Sequence, residues 1–194
     1  MVSFMRCFKK PDRLARLVFG LLFVSFLSWA AASSLLIKTA ELIAIDEAYL
    51  LNADFELNLS EEAEDALNKG VQLNFLVEFQ LYQPRKYWFD DEIVTRTDHV
   101  SFSYHALSRQ YLLTRNNHQQ TFTSLQEAKE EFVSLRGWKV FDKSLLNKDE
   151  NYQAMLRIRL DTSKLPKPIQ VDALGSESWN LVSQRYHWKP ALVF

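Results

Sequence analysis

Four histidines, one acidic run and one serine–lysine pair are the side chains of this sequence whose chemistry suits catalysis or metal binding. His99 and His105 fall on one face of an alternating stretch. They are six residues apart, roughly 20 Å at the rise of a strand and too far to share a metal ion. With His118 and His187 they read as surface polar residues. Asp90-Asp91-Glu92 offers carboxylates to calcium but lacks the spaced oxygen donors and the glycine of a calcium loop. Ser163-Lys164 is not at a spacing known for a serine–lysine dyad and reads as turn chemistry. The sequence carries no phosphate loop, dinucleotide glycine pattern, G-x-S-x-G elbow or H-E-x-x-H. Its one cysteine, Cys7, precedes the first apolar run, so residues 33–194 have no thiol for catalysis, metal binding or a disulfide. The expectation is a chain with no catalytic, cofactor or metal-binding residue and no cofactor, more a binding protein than an enzyme.

Arg85-Lys86-Tyr87-Trp88-Phe89-Asp90-Asp91-Glu92 is a candidate of another kind. Aromatic rings and arginine carry much of the binding energy at protein interfaces, so this turn has the composition of a recognition surface. The competing expectation is a structural corner whose rings tuck beneath a sheet while Arg85 pairs with an acid. Three adjacent exposed rings invite aggregation, and on that ground the corner is favoured. Trp179, Tyr186 and Trp188 pose the same choice, with the same expectation.

The elements that hold this turn are strands. Val71, Leu73, Phe75, Val77, Phe79 and Leu81 alternate with polar residues, the period of a strand half buried against a core. Tyr49–Leu59 alternates as cleanly; Ser34–Ile45, apolar on both faces, reads as a strand with a short helix as the alternative, and two strands across Asp46-Glu47 suggest a hairpin. Two helices are expected. One is capped by Ser60, has acids in its first turn and stops at Gly70. The other is capped by Ser124 with Glu127 three residues on, and ends by Gly137. Ile93–Thr97, His99–Ala106, Arg109–Arg115, Trp138–Phe141 and Tyr152–Asp161 read as further strands. Leu165-Pro166-Lys167-Pro168 suggests an extended crossing or edge, and Ile169–Leu174 and Trp179–Trp188 two last strands. The fold class expected is mainly β, an antiparallel two-layer β-sandwich with two short connecting helices. The alternative is one curved antiparallel sheet with both helices on one face.

The N-terminus sets the compartment. Arg6, Lys9, Lys10, Arg13 and Arg16 precede the apolar run Leu17–Ser34, which closes on Ala30-Ala31-Ala32. That is the pattern of a secretory signal cut after Ala32. The 21 uncharged residues from Leu17 to Ile37 are also long enough for an uncleaved membrane anchor. Residues 1–32 are thus a signal peptide or anchor, and 33–194 a single exported, periplasmic β-rich domain. Without the first segment the chain has 18 Lys+Arg against 23 Asp+Glu, a net charge of −5. That balance, with no basic stripe, argues against nucleic acid.

Six stretches, Ala66–Val71, Pro84–Asp90, Tyr104–Tyr111, Arg157–Asp161, Leu165–Val171 and Trp179-Asn180-Leu181, run in order along nearly the whole of residues 33–194. Together they resemble a bacterial envelope family, domain of unknown function 4390. Lys86 stands where the pattern suggests an aromatic, a departure that weakens the recognition-surface idea in this chain. The resemblance implies an exported proteobacterial protein and carries over no activity. On these segments the candidate interaction or corner residues are Arg85, Tyr87, Trp88, Asp90, Lys167, Gln170, Trp179 and Asn180. The functional expectation is a non-catalytic periplasmic binding or assembly module whose partner is another envelope protein. Membrane contact is expected only through an uncleaved N-terminal segment. The alternatives are a periplasmic enzyme without a recognisable motif and an accessory protein of a membrane sensor system.

Overall fold

A computed structural model describes residues 34–148 and 150–193. The expected signal or anchor at 1–32, with its cut after Ala32, lies outside the described residues. The fold is mainly β, two antiparallel sheets arranged as a β-sandwich. The smaller sheet has the order β1-β2-β7, from β1 (Ser34–Ile45), β2 (Ala48–Asn58) and β7 (Ser134–Asp142). The larger has the order β6-β5-β4-β3-β8-β9. Its strands are β3 (Leu73–Gln83), β4 (Asp91–His105), β5 (Gln110–Arg115), β6 (His118–Phe122), β8 (Gln153–Leu160) and β9 (Tyr186–Trp188).

The alternating sequences lie where their period demands. Leu73, Phe75, Val77, Phe79 and Leu81 on β3 are fully buried, as are Ala154, Leu156 and Ile158 on the neighbouring β8. From β2, Tyr49, Leu51, Ala53 and Phe55 face them. Stacked rings join the two leaves: Tyr49 lies 4.9 Å from Phe141 and Phe79 lies 6.1 Å from Phe141, centroid to centroid. Ser34–Ile45 is apolar on both faces because Lys38 is an extra residue in its pairing with β2. Leu35 and Ile37 face the core before this bulge and Ala40, Leu42 and Ala44 after it, leaving Leu36, Ile43 and Ile45 exposed.

Helices α1 (Glu61–Asn68) and α2 (Leu125–Phe132) pack against the part of the large sheet formed by β4 and β5. Both caps are as the sequence predicts: Ser60 Oγ accepts from Ala63 N at 3.1 Å, and Ser124 Oγ from Glu127 N at 3.2 Å. Phe132 brings its ring 4.7 Å from Phe75, and Lys129 of α2 forms an ion pair with Glu64 of α1. Gly70, at φ +90°, takes the left-handed turn that ends α1.

Several expectations are corrected. Ile93–Thr97 and His99–Ala106 are one 15-residue strand, β4. The polar stretch His118–Phe122 is a strand, because it closes a hairpin over Asn116-Asn117, both at positive φ. Gly137 does not end α2; it sits at φ +66° in a bulge of β7, where two residues are accommodated opposite one of β2. Ile169–Leu174 is not a strand. A third helix, α3, occupies Lys167–Ala173, so the described residues hold three α-helices rather than two. Pro166 caps it and Pro168 sits in its first turn, where no backbone N–H is needed. Trp179–Trp188 is mostly irregular, reaching β8 through Leu160 N to Leu181 O, Ser183 N to Ile158 O and the short β9.

This topology places the β3–β4 turn at one end of the sandwich. Ser34 pairs with Asn58, two residues before the Ser60 that caps α1, and β3 starts just after that helix. Tyr49, at the other end of β2, belongs with Phe79, four residues before β3 ends. The turn therefore lies away from the Ser34 end, by about 35 Å along β3 at the rise of a strand.

Candidate interaction site at the β3–β4 hairpin

The β3–β4 ladder ends at the Gln83–Asp91 pair. The seven residues between them, 84–90, are all exposed. Two contacts close the neck: Arg85 N donates to Asp90 Oδ1 at 3.1 Å, and the Arg85 guanidinium pairs with Asp91. Arg85 thus pairs with an acid, but the rings are not tucked beneath the sheet. Tyr87, Trp88 and Phe89 are 87%, 74% and 84% exposed. The turn projects beyond the last ladder pair, so neither leaf extends over it. The rings touch mainly each other, Trp88 meeting Phe89 edge-on at 6.1 Å, while the Lys86 ammonium lies 5.4 Å from the centre of Tyr87. A ring side chain offers about 150–250 Å². At these exposures the tip presents on the order of 450 Å² of largely apolar area, as large as the biggest patch on a typical monomer.

Below the tip lies an open cleft of about 300 Å³ on the outer face of the large sheet, lined by Gln80, Tyr82, Asp90, Glu92, Met155, Arg185 and His187. Register assembles it: Gln80 sits across from Met155 on β8, and Tyr82 across from Glu92 on β4. Tyr82 Oη donates to Gln153 Oε1 at 2.8 Å and lies 3.1 Å from His187 Nδ1, while Gln80 Nε2 donates to Glu92 Oε2 at 2.8 Å. Burial pushes the Tyr82 phenol up, and the Asp90 carboxylate adds to it.

The other candidates are elsewhere. Gln170 on α3 staples the preceding turn, donating to Ser163 O and Leu165 O at 2.7 Å each, and Lys167 Nζ reaches its side chain at 3.3 Å. Trp179 is buried, and Asn180 is exposed beside it. This second group lies near Ser60, whose hydroxyl bonds Ser178 O at 3.0 Å, toward the Ser34 end. The structure thus brings Arg85, Tyr87, Trp88 and Asp90 together and leaves Lys167, Gln170, Trp179 and Asn180 apart from them. Ser163 is turn chemistry: its hydroxyl donates to Asp161 Oδ1 at 2.6 Å. His105 pairs with Ser108 at 2.9 Å. Among the described residues no group of three His, Cys, Asp or Glu is placed to hold a metal ion, and no helix is long and apolar enough to cross a membrane.

Sequence reasoning found the tip but missed the cleft. Gln80 and Tyr82 were legible as outward positions of β3; that Glu92, Met155 and His187 stand beside them depends on pairing between strands distant in sequence.

Fold and tip together define an antiparallel β-sandwich with an exposed aromatic hairpin. The sequence matches the family model for domain of unknown function 4390 over residues 32–189, and the chain belongs to that family. No curated protein and no solved structure matches it.

Proposed function

We propose that this chain is an exported, non-catalytic envelope module that captures another envelope protein through the tip of its β3–β4 hairpin. The observation that carries this reading is the exposure of Tyr87, Trp88 and Phe89 side by side at the turn of the β3–β4 hairpin. Apolar rings held in water on an ordered hairpin turn lose little on docking, because the backbone that carries them is already fixed by the β3–β4 ladder. Large exposed patches of this kind mark interaction sites. Export is supported by the basic flank and the apolar run that precede β1.

The test is site-specific photo-crosslinking in the periplasm. A photoreactive residue replacing Tyr87 is expected to yield a discrete protein adduct, recovered by pull-down and diminished at least tenfold in Trp88→Ala. A photoreactive residue replacing Glu61, at the other end, serves as control. An absent adduct, or the same adduct from both positions, would overturn the reading. The rival reading is a catalytic cleft built around Tyr82 and His187. It predicts that His187→Ala abolishes function in cells while the Tyr87 adduct persists.

A further inference from the structure

We infer that the partner segment captured by the hairpin is basic, and that one of its arginine or lysine side chains seats in the cleft beneath the rings. This rests on the proposed docking role of the tip and names the chemistry that the same site selects.

The inference comes from which charges around the tip are already satisfied. Arg85 is committed to Asp91, and the Lys86 ammonium lies over the Tyr87 ring. The two carboxylates that line the cleft, Asp90 and Glu92, form no ion pair among the described residues. Their partners are neutral donors, the Arg85 backbone N–H at 3.1 Å and the Gln80 amide at 2.8 Å. Each carboxylate keeps acceptor sites open, since an ionised carboxylate can take about four hydrogen bonds. Arg185 lines the same cleft but pairs with neither acid, so the cleft holds two negative charges against one positive.

A volume of about 300 Å³ admits one long side chain rather than a folded element. A guanidinium offers donors in a fork that two carboxylates can accept, with the tyrosine oxygen beside them. The flanking aromatic rings would hold the stem of that side chain, or a second cation, against their faces. Arg185 is then the intramolecular competitor for the carboxylates. The net charge of −5 outside the N-terminal segment favours approach of the same class of partner at long range.

The test is fluorescence anisotropy on the purified residue 33–194 domain, after circular dichroism and melting show that it is folded, or otherwise on the full chain in detergent. The probes are fluorescein-labelled nonamers of arginine, lysine and glutamate, and vesicles of phosphatidylglycerol. The arginine and lysine nonamers are expected to bind. The Asp90→Asn/Glu92→Gln double variant should weaken that binding at least tenfold, and Trp88→Ala about fivefold or more, with melting temperature unchanged. Arg185→Ala should tighten it about threefold. Two controls remove comparable charges elsewhere: Glu61→Gln/Glu62→Gln and Lys164→Ala should leave it within twofold. Preferential binding of the glutamate nonamer or of the vesicles, or an equal loss in the Glu61/Glu62 control, would overturn the inference. If the Tyr87 adduct survives Asp90→Asn/Glu92→Gln undiminished, docking at the tip stands and the basic-segment inference fails. If no adduct forms with any variant, the docking role fails with it.

Discussion

Trp88 and Trp179 form a matched pair in which the same truncation should have opposite consequences. Trp88 is 74% exposed and its one ring neighbour, Phe89, is itself exposed, whereas Trp179 is 3% exposed and belongs to the main core cluster with Leu181 and Leu165. Trp88→Ala removes little apolar burial, so its effect on folding should stay within about 0.5 kcal/mol. Trp179→Ala loses a buried aromatic and leaves a cavity, a change that costs about 3–5 kcal/mol. For a domain of this size each kcal/mol moves Tm by about 2–4 °C. The expected shifts are therefore less than about 2 °C for Trp88→Ala and roughly 6–20 °C for Trp179→Ala. On binding the order reverses: a fully desolvated aromatic anchor at an interface contributes about 2 kcal/mol or more, a loss of roughly thirtyfold in affinity. The assay is thermal unfolding by circular dichroism on both variants, alongside the Tyr87 crosslinking yield. A fall of more than about 5 °C for Trp88→Ala would refute the reasoning, because it would mean the ring is part of the core.

Asp98 faces the core from β4 and is buried, with Oδ1 accepting from His99 N at 2.9 Å and Oδ2 without a hydrogen-bond partner. Burial pushes its carboxyl up, opposed by the His99 N–H and the Arg115 charge. The folded chain therefore keeps this proton to higher pH than the unfolded one. Stability associated with the neutral acid is full below the ordinary aspartate value and is lost as pH rises through the raised one. The Tm of Asp98→Asn relative to the parent should consequently be higher at pH 7 than at pH 3.5; a difference independent of pH would count against it. Tyr49 Oη donates to Val193 O at 2.7 Å and accepts from Val193 N at 2.6 Å, fastening the last residues across the start of β2. Tyr49→Phe should cost about 1–2 kcal/mol and raise amide exchange at Leu192 and Val193 while leaving the β3 amides protected; unchanged exchange there would show that the tail is held by other contacts.

What the sequence determined by itself was local. The alternation in Leu73–Leu81 and Tyr49–Leu57 placed those strands and their buried faces, because side chains on a pleated strand alternate whatever lies opposite. Ser60 and Ser124 announced their helices, since a cap is a hydrogen bond three residues long. The resemblance over Ala66–Leu181 correctly named the family. Tertiary structure decided the rest. The bulge at Lys38 that turns β1 over, the strand at His118–Phe122 and the exposure of the aromatic tip all depend on which distant segment pairs alongside or fails to reach. Lys167–Ala173 is a partial exception: its prolines fit a helix start as well as an edge, and what distinguishes the two is the backbone hydrogen bond from Gln170 N to Pro166 O at 3.0 Å and the Gln170 staple onto Ser163 and Leu165. The candidate site shows the division most plainly. Arg85, Tyr87, Trp88 and Asp90 lie within six consecutive residues and could be read together, but whether their rings were core or surface required knowing that the turn outruns both leaves. The cleft beneath joins side chains from β3, the turn, β4, β8, β9 and the segment leading into β9, up to 107 residues apart in sequence between Gln80 and His187. No periodicity within one strand encodes that neighbourhood; only the register between strands does.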